Sequence, residues 1–156
     1  MDMEIDAHRV VRGGLGREFA IIDRAGSTVA RAKQSWYGRR AAFDVNGKGY
    51  IGYVKRWNEA VLEDAEGANI IVVRWALLKP AMRFEYQGCS YELSKEGWGY
   101  LHYLYRNGST RIGGFDQRGP YAAKWLVRFA DDLPLAINVF LLWLVAGRWR
   151  AADTTV

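Results

Sequence analysis

The chain has 156 residues, 50% of them hydrophobic, enough for one domain that buries roughly 68–70% of its unfolded surface. Its single cysteine, Cys89, excludes an internal disulfide, and the start Met1-Asp-Met-Glu-Ile-Asp6 lacks the basic and apolar stretches of a secretory signal, so a reducing, cytoplasmic setting is expected. The net charge of +5 is unevenly placed: residues 24–56 hold eight basic side chains against Asp44 alone, which suits an anionic partner without selecting lipid, nucleic acid or acidic protein.

Residues 1–16 end in Arg12-Gly-Gly-Leu-Gly16 and are expected to form a flexible N-terminal arm before one domain over 17–150. Short strand patterns and turn signals then alternate. Phe19 to Ile22 leads through Asp23-Arg-Ala-Gly26 into Thr28 to Ser35, a hairpin pattern. Arg40 to Val45 and Tyr50 to Trp57 flank Asn46-Gly-Lys-Gly49, where Asn-Gly favours a tight turn with positive φ. Glu59 to Glu63, Ile70 to Leu78, Met82 to Tyr86 and Ser90 to Leu93 follow, with Gln87-Gly88 as another turn. Trp98 to Arg106 and Thr110 to Phe115 surround Asn107-Gly108, and Tyr121 to Phe129 is the last strand pattern. About 11 to 12 strands at this spacing predict an all-β barrel or sandwich, not βαβ units.

The run Leu133 to Gly147 is apolar on every helical face, interrupted only by Asn138. Such a helix must be buried all round. It reaches about 22 Å at ~1.5 Å per residue, short of the ~30 Å of a bilayer core. Protein is therefore its expected surrounding. Asp131 and Asp132 suit the helix start, Pro134 its first turn and Gly147 its end, so the helix is placed at 132–148 with a tail over 151–156. The fold class expected is mainly β: a closed antiparallel barrel around one buried C-terminal helix. Val54, Val72, Trp75, Leu101, Tyr103 and Leu126 would line the wall and pack on Ile137, Phe140, Leu141, Leu144 and Val145. The alternative is a tail-anchored membrane protein that uses 133–149 as a short span, with Trp143 and Trp149 near the interface.

Strand residues ending in Asp23-Arg-Ala-Gly26, the strand-turn pair Phe43-Asp-Val-Asn-Gly47, and Trp125-Leu-Val-Arg-Phe-Ala-Asp-Asp132 running into an apolar helix occur in a recognisable order. Over residues 17–149 this order resembles the tubby C-terminal-like superfamily, especially its LURP-one-related and phospholipid-scramblase-like branch. The resemblance implies a twelve-stranded closed barrel around a hydrophobic C-terminal helix. Tubby proteins bind phosphoinositides through basic barrel residues, which implies that Arg39, Arg40, Lys48, Lys55 and Arg56 contact anionic headgroups, although no family motif aligns with them residue by residue. Scramblase-type relatives carry an acidic calcium-binding segment and a cysteine cluster; neither is present here, so calcium-driven scrambling is not implied.

The residue inventory for catalysis is poor. Of two histidines, His8 falls in the expected arm, while His102 should face away from the Leu101 and Tyr103 side of its strand, at the surface. No catalytic residues, metal or cofactor are expected. Gly47-Lys48-Gly49 lacks the spacing and the hydroxyl residue of a phosphate loop, and Gly13 to Gly16 precedes a strand where a dinucleotide site would open a helix. Glu59, Glu63, Asp64 and Glu66 lack the spacing of a calcium loop. Basic and aromatic residues interleave in Trp36-Tyr-Gly-Arg-Arg40 and Tyr50 to Trp57, as at a headgroup boundary, although strand alternation also sends such aromatics inward and leaves the cations on a solvated face. The function expected is a non-enzymatic binding or scaffold module whose partner is an anionic membrane surface, a phospho-ligand or a protein; nucleic acid is not expected.

Overall fold

The computed structural model describes residues 8–13, 18–35, 39–76, 81–96, 101–118 and 124–154. Trp36, Tyr37, Trp98 and Tyr100 lie outside these, and so does the side chain of Leu126. The chain is mainly β, one antiparallel sheet and one C-terminal helix. In chain order the strands are β1 (His8–Gly13), β2 (Glu18–Ile22), β3 (Thr28–Gln34), β4 (Arg40–Val45), β5 (Lys48–Arg56) and β6 (Glu59–Asp64), then β7 (Asn69–Trp75), β8 (Met82–Tyr86), β9 (Cys89–Glu96), β10 (Leu101–Arg106), β11 (Thr110–Arg118) and β12 (Lys124–Arg128), followed by helix α1 (Leu135–Thr154). Each strand pairs with its sequence neighbours, and β1 is bonded both to β2 and, at His8↔Val127 and Arg9↔Leu126, to β12.

Local chemistry explains the turns. Asn46-Gly47, Gln87-Gly88 and Asn107-Gly108 each have both residues at positive φ, the conformation that matches the twist of a two-residue hairpin. Two Asp-x-x-Gly turns work differently. Asp23 Oδ1 accepts from Ser27 N at 2.9 Å, and Asp64 Oδ1 accepts from Glu66 N at 3.0 Å and Ala68 N at 2.9 Å, so each carboxylate holds its own loop closed.

The helix sits against the inner face of the sheet and is buried at every residue from Ala136 to Val145. Ile137, Phe140 and Leu141 are 0% exposed, so the apolar run forms the centre of the core. Helix α1 comes closest to β3 and β4, where Ala30, Ala32 and Ala41 present small side chains. Met82, Phe84, Tyr91, Leu93, Leu104 and Phe115 supply bulk to the core from β8 to β11. On the near side, Phe43, Phe140 and Trp143 form an aromatic cluster with centroids 5.8–6.1 Å apart. Gly52 lies beneath it, because a Cβ there would meet Phe140 at 2.7 Å and Phe43 at 2.8 Å.

Asn138 is the one polar side chain in the buried stretch, and its whole amide is used. Oδ1 accepts from Ala130 N at 2.9 Å; Nδ2 lies 3.1 Å from Ala130 O, 3.3 Å from Leu133 O and 3.2 Å from Pro134 O. It thereby satisfies the backbone where the chain leaves β12 and turns into the core. The carboxylate of Asp132 does not serve as the expected cap; it binds Arg106.

Several expectations need correction. The arm read into residues 1–16 contains β1, whose ladder to β2 runs from Arg9↔Ile22 to Gly13↔Glu18. Its neighbouring glycines masked a strand that long-range pairing supports. The helix begins at Leu135 and continues through Gly147 to Thr154, taking in most of the expected tail; one interior glycine costs only about 0.5–1 kcal/mol relative to alanine. Two strands present the opposite faces. Ile71 and Val73 point inward rather than Val72, and His102 (8% exposed) and Leu104 point inward rather than Leu101 and Tyr103. On β10 the outer face gives the tyrosines polar contacts: Tyr105 donates to Glu96 at 3.0 Å, and Arg111 lies 4.3 Å above the Tyr103 ring. Val54 and Trp75 pack against the core from partly buried positions. No helix among the described residues is long and apolar enough to cross a membrane, and the enclosure of α1 opposes its use as an anchor.

The close approach at Gly52 predicts that Gly52→Ala lowers stability by about 1–3 kcal/mol in urea unfolding. Phe140→Leu in the same chain should recover part of that loss, whereas Gly49→Ala, with nothing within 4 Å, should stay near wild type. Asn138→Leu preserves size but orphans buried backbone groups, and a loss of about 1–3 kcal/mol is expected by the same measurement. A neutral or stabilising result would show that the amide network is dispensable.

Candidate functional site

The hairpin of β4 and β5 decides where the expected basic residues lie. Arg40 opens β4 opposite Tyr53, and Val54 N donates to Arg39 O at 2.9 Å, so Arg39 and Arg40 sit beside the end of β5 that carries Lys55 and Arg56. All four are exposed. Lys48 is opposite Val45 at the other end of the hairpin, about 17 Å away at ~3.4 Å per residue. Four of the five cations therefore converge, and Lys48 does not belong with them.

The β5 to β6 turn adds a residue to this end of the sheet. Trp57 is 61% exposed, the only large hydrophobic side chain so exposed among the described residues. It directly follows Lys55 and Arg56. Arg56 Nε lies 3.7 Å from Glu59 Oε2, and Glu59 Oε1 lies 3.2 Å from Arg74 Nη2, so one carboxylate is shared by two arginines. Arg74 was not among the sequence candidates. Its proximity comes from the β6 to β7 register, Glu59↔Arg74, across fifteen residues of chain.

Tyr53 lies on the outer face beside Arg40, half-buried, and its hydroxyl donates to Glu63 Oε1 at 2.7 Å. That hydrogen bond is the main reason its pKa is raised; desolvation and the Glu63 charge add to it, while Arg40 opposes. Tyr91 and Tyr105 are also raised, each chiefly by desolvation.

Among the described residues, Cys89 and His102 do not come together as a nucleophile and base. Cys89 and His102 map six residues apart through the His102↔Lys95 register, about 20 Å along β9. That is far beyond the reach of a nucleophile and its base. Glu59, Glu63 and Asp64 are each committed, to arginines, to a tyrosine and to a turn. Among the described residues no group of three or more His, Cys, Asp or Glu could hold a metal ion. No family model, curated protein or solved structure matches this chain.

The raised tyrosines fix the sign of an alkaline transition. Their neutral forms are favoured in the fold, so this contribution is fully present below the unfolded tyrosine value of about 10 and is lost as pH rises through the higher folded values. Stability should accordingly fall above pH ~10. Glu63→Gln should bring phenolate absorbance in at lower pH; an unchanged titration would show that Glu63 does not control Tyr53.

Proposed function

We propose that the chain is a non-enzymatic binding module that docks on anionic phospholipid headgroups through Arg39, Arg40, Lys55 and Arg56. The observation that carries this reading is Trp57, an exposed indole set beside the cations, the pairing of aromatic and charge that suits a membrane interface. The resemblance to tubby-like proteins in the order of elements supports the same class of ligand. We read the sheet as a closed barrel, on the strength of the short β1 to β12 ladder, with the helix as its filling. The inner face is then occupied by the core, which leaves the outer surface for recognition.

Each basic residue near an anionic surface contributes about 1 kcal/mol, so Arg39→Gln with Lys55→Gln should weaken binding to phosphatidylserine-containing vesicles about 30-fold. Trp57→Ala should weaken it further, added salt should reduce it, and pure phosphatidylcholine vesicles should retain little protein in co-sedimentation. Equal retention by both vesicle types, or binding indifferent to salt and to these substitutions, would overturn the reading.

A further inference from the structure

The seam between β7 and β8 is incomplete, as is the short β1 to β12 ladder. The ladder between β7 and β8 consists of Trp75↔Met82 and Arg74↔Arg83 and goes no further, although β7 extends back to Asn69 and β8 on to Tyr86. On their other sides both strands are paired over most of their length, from Glu59↔Arg74 to Glu63↔Asn69 and from Met82↔Leu93 to Tyr86↔Cys89. Past Arg74 and Arg83 a cleft of about 760 Å³ opens on the sheet, lined by Ile70, Val72, Phe84, Glu85 and Ser90 among others, with both arginines at its closed end. This volume is within the range of ligand pockets, ~300–1,000 Å³.

We propose that this cleft receives the C-terminal end of an extended peptide, whose terminal carboxylate is held between Arg74 and Arg83. Strand edges are templates for another strand, and the lining segments of β7 and β8 are two such edges with no ladder between them. Ile70 and Val72 add half-buried apolar surface for alternate side chains of the guest. The ladder that closes the cleft prevents a strand from running straight through, so a chain end fits where a continuous segment does not.

The charge at the closed end selects which terminus. Arg74 and Arg83 are directly opposite, a like-charge pair that is unfavourable by itself. Arg74 reaches Glu59 through Nη2, and Arg83 reaches Glu92 Oε2 through Nε at 3.4 Å. A guanidinium has five N–H donors, so each arginine keeps donors for a further carboxylate. The charged side chains that line the cleft, Arg74, Arg83, Glu85 and Glu92, balance, so the selection is local: the two guanidiniums face each other at the closed end, where a carboxylate set between them relieves their repulsion, and Glu85 stands two residues farther along β8. A carboxylate is drawn to that place and an N-terminal ammonium is repelled.

The test uses the full chain and a random hexapeptide pool, fluorescein-labelled at the N-terminus and made both as free acid and as C-terminal amide. Peptides retained from the free-acid pool should bind at least about tenfold more weakly as amides. Arg83→Gln and Arg74→Gln, at exposed side chains, should reduce free-acid binding to the level of the amide while far-UV circular dichroism stays unchanged. Bound peptide should slow hydrogen exchange at amides of residues 70–73 and 84–86. The vesicle-binding variant with Arg39→Gln and Lys55→Gln should bind peptide like wild type, which separates this site from the basic end of the β4 to β5 hairpin. Retention of neither pool, equal affinity for acid and amide, or binding indifferent to both arginine substitutions would overturn the proposal.

Discussion

A helix with no polar face has to be surrounded, and the architecture of this chain answers that one constraint. Water around Ile137, Phe140, Leu141 and Leu144 would cost ~1.5–3 kcal/mol for each such side chain, and no flat sheet face covers more than one side of a helix. The one antiparallel sheet turns an apolar inner face to the helix, which is buried at every residue from Ala136 to Val145. The constraint also shapes the wall. Alanines on β3 and β4 and the bare backbone of Gly52 on β5 let the helix approach one side, while large side chains from β8 to β11 fill space elsewhere.

Bringing a chain into such a core exposes its backbone to the same desolvation. The turn from β12 into α1 is where buried N–H and C=O groups would otherwise lack water, and Asn138 meets Ala130, Leu133 and Pro134 there. The one polar residue in an apolar helix thus has a structural explanation. It binds the helix start to the end of the last strand.

With the interior committed to packing, the chemistry available to a partner lies outside. There, cross-strand register gathers charges that are remote in sequence. A row of side chains follows Arg56, Glu59, Arg74, Arg83 and Glu92 across adjacent strands, joined by three ion pairs between 3.2 and 3.7 Å. Pairs as exposed as these contribute little to stability. Their importance is positional: they hold arginines at defined places beside the Trp57 turn and at the closed end of the β7 to β8 cleft.

The hairpin turns and the need to bury the helix were legible because both are local properties. Asn46-Gly47 and Asn107-Gly108 favour positive φ whatever surrounds them, and an apolar run seeks burial in any fold. The faces of β7 and β10 were not legible. Ile70-Ile-Val-Val and Leu101-His-Tyr-Leu-Tyr offer apolar atoms on both sides, so the choice passed to partner strands and to polar contacts such as Glu96 and Arg111. β1 escaped notice for a related reason, since a short strand beside glycines gains its stability from residues as distant as Val127. By itself the sequence determined a mainly β chain with tight hairpins and a helix that must be enclosed, because conformational preference and hydrophobicity act at short range. Only the tertiary structure decided that Lys48 stands apart from Arg39 and Lys55, that Glu59 serves two arginines, and that β7 and β8 part beyond Arg74 and Arg83, because register and strand divergence are properties of pairs of strands.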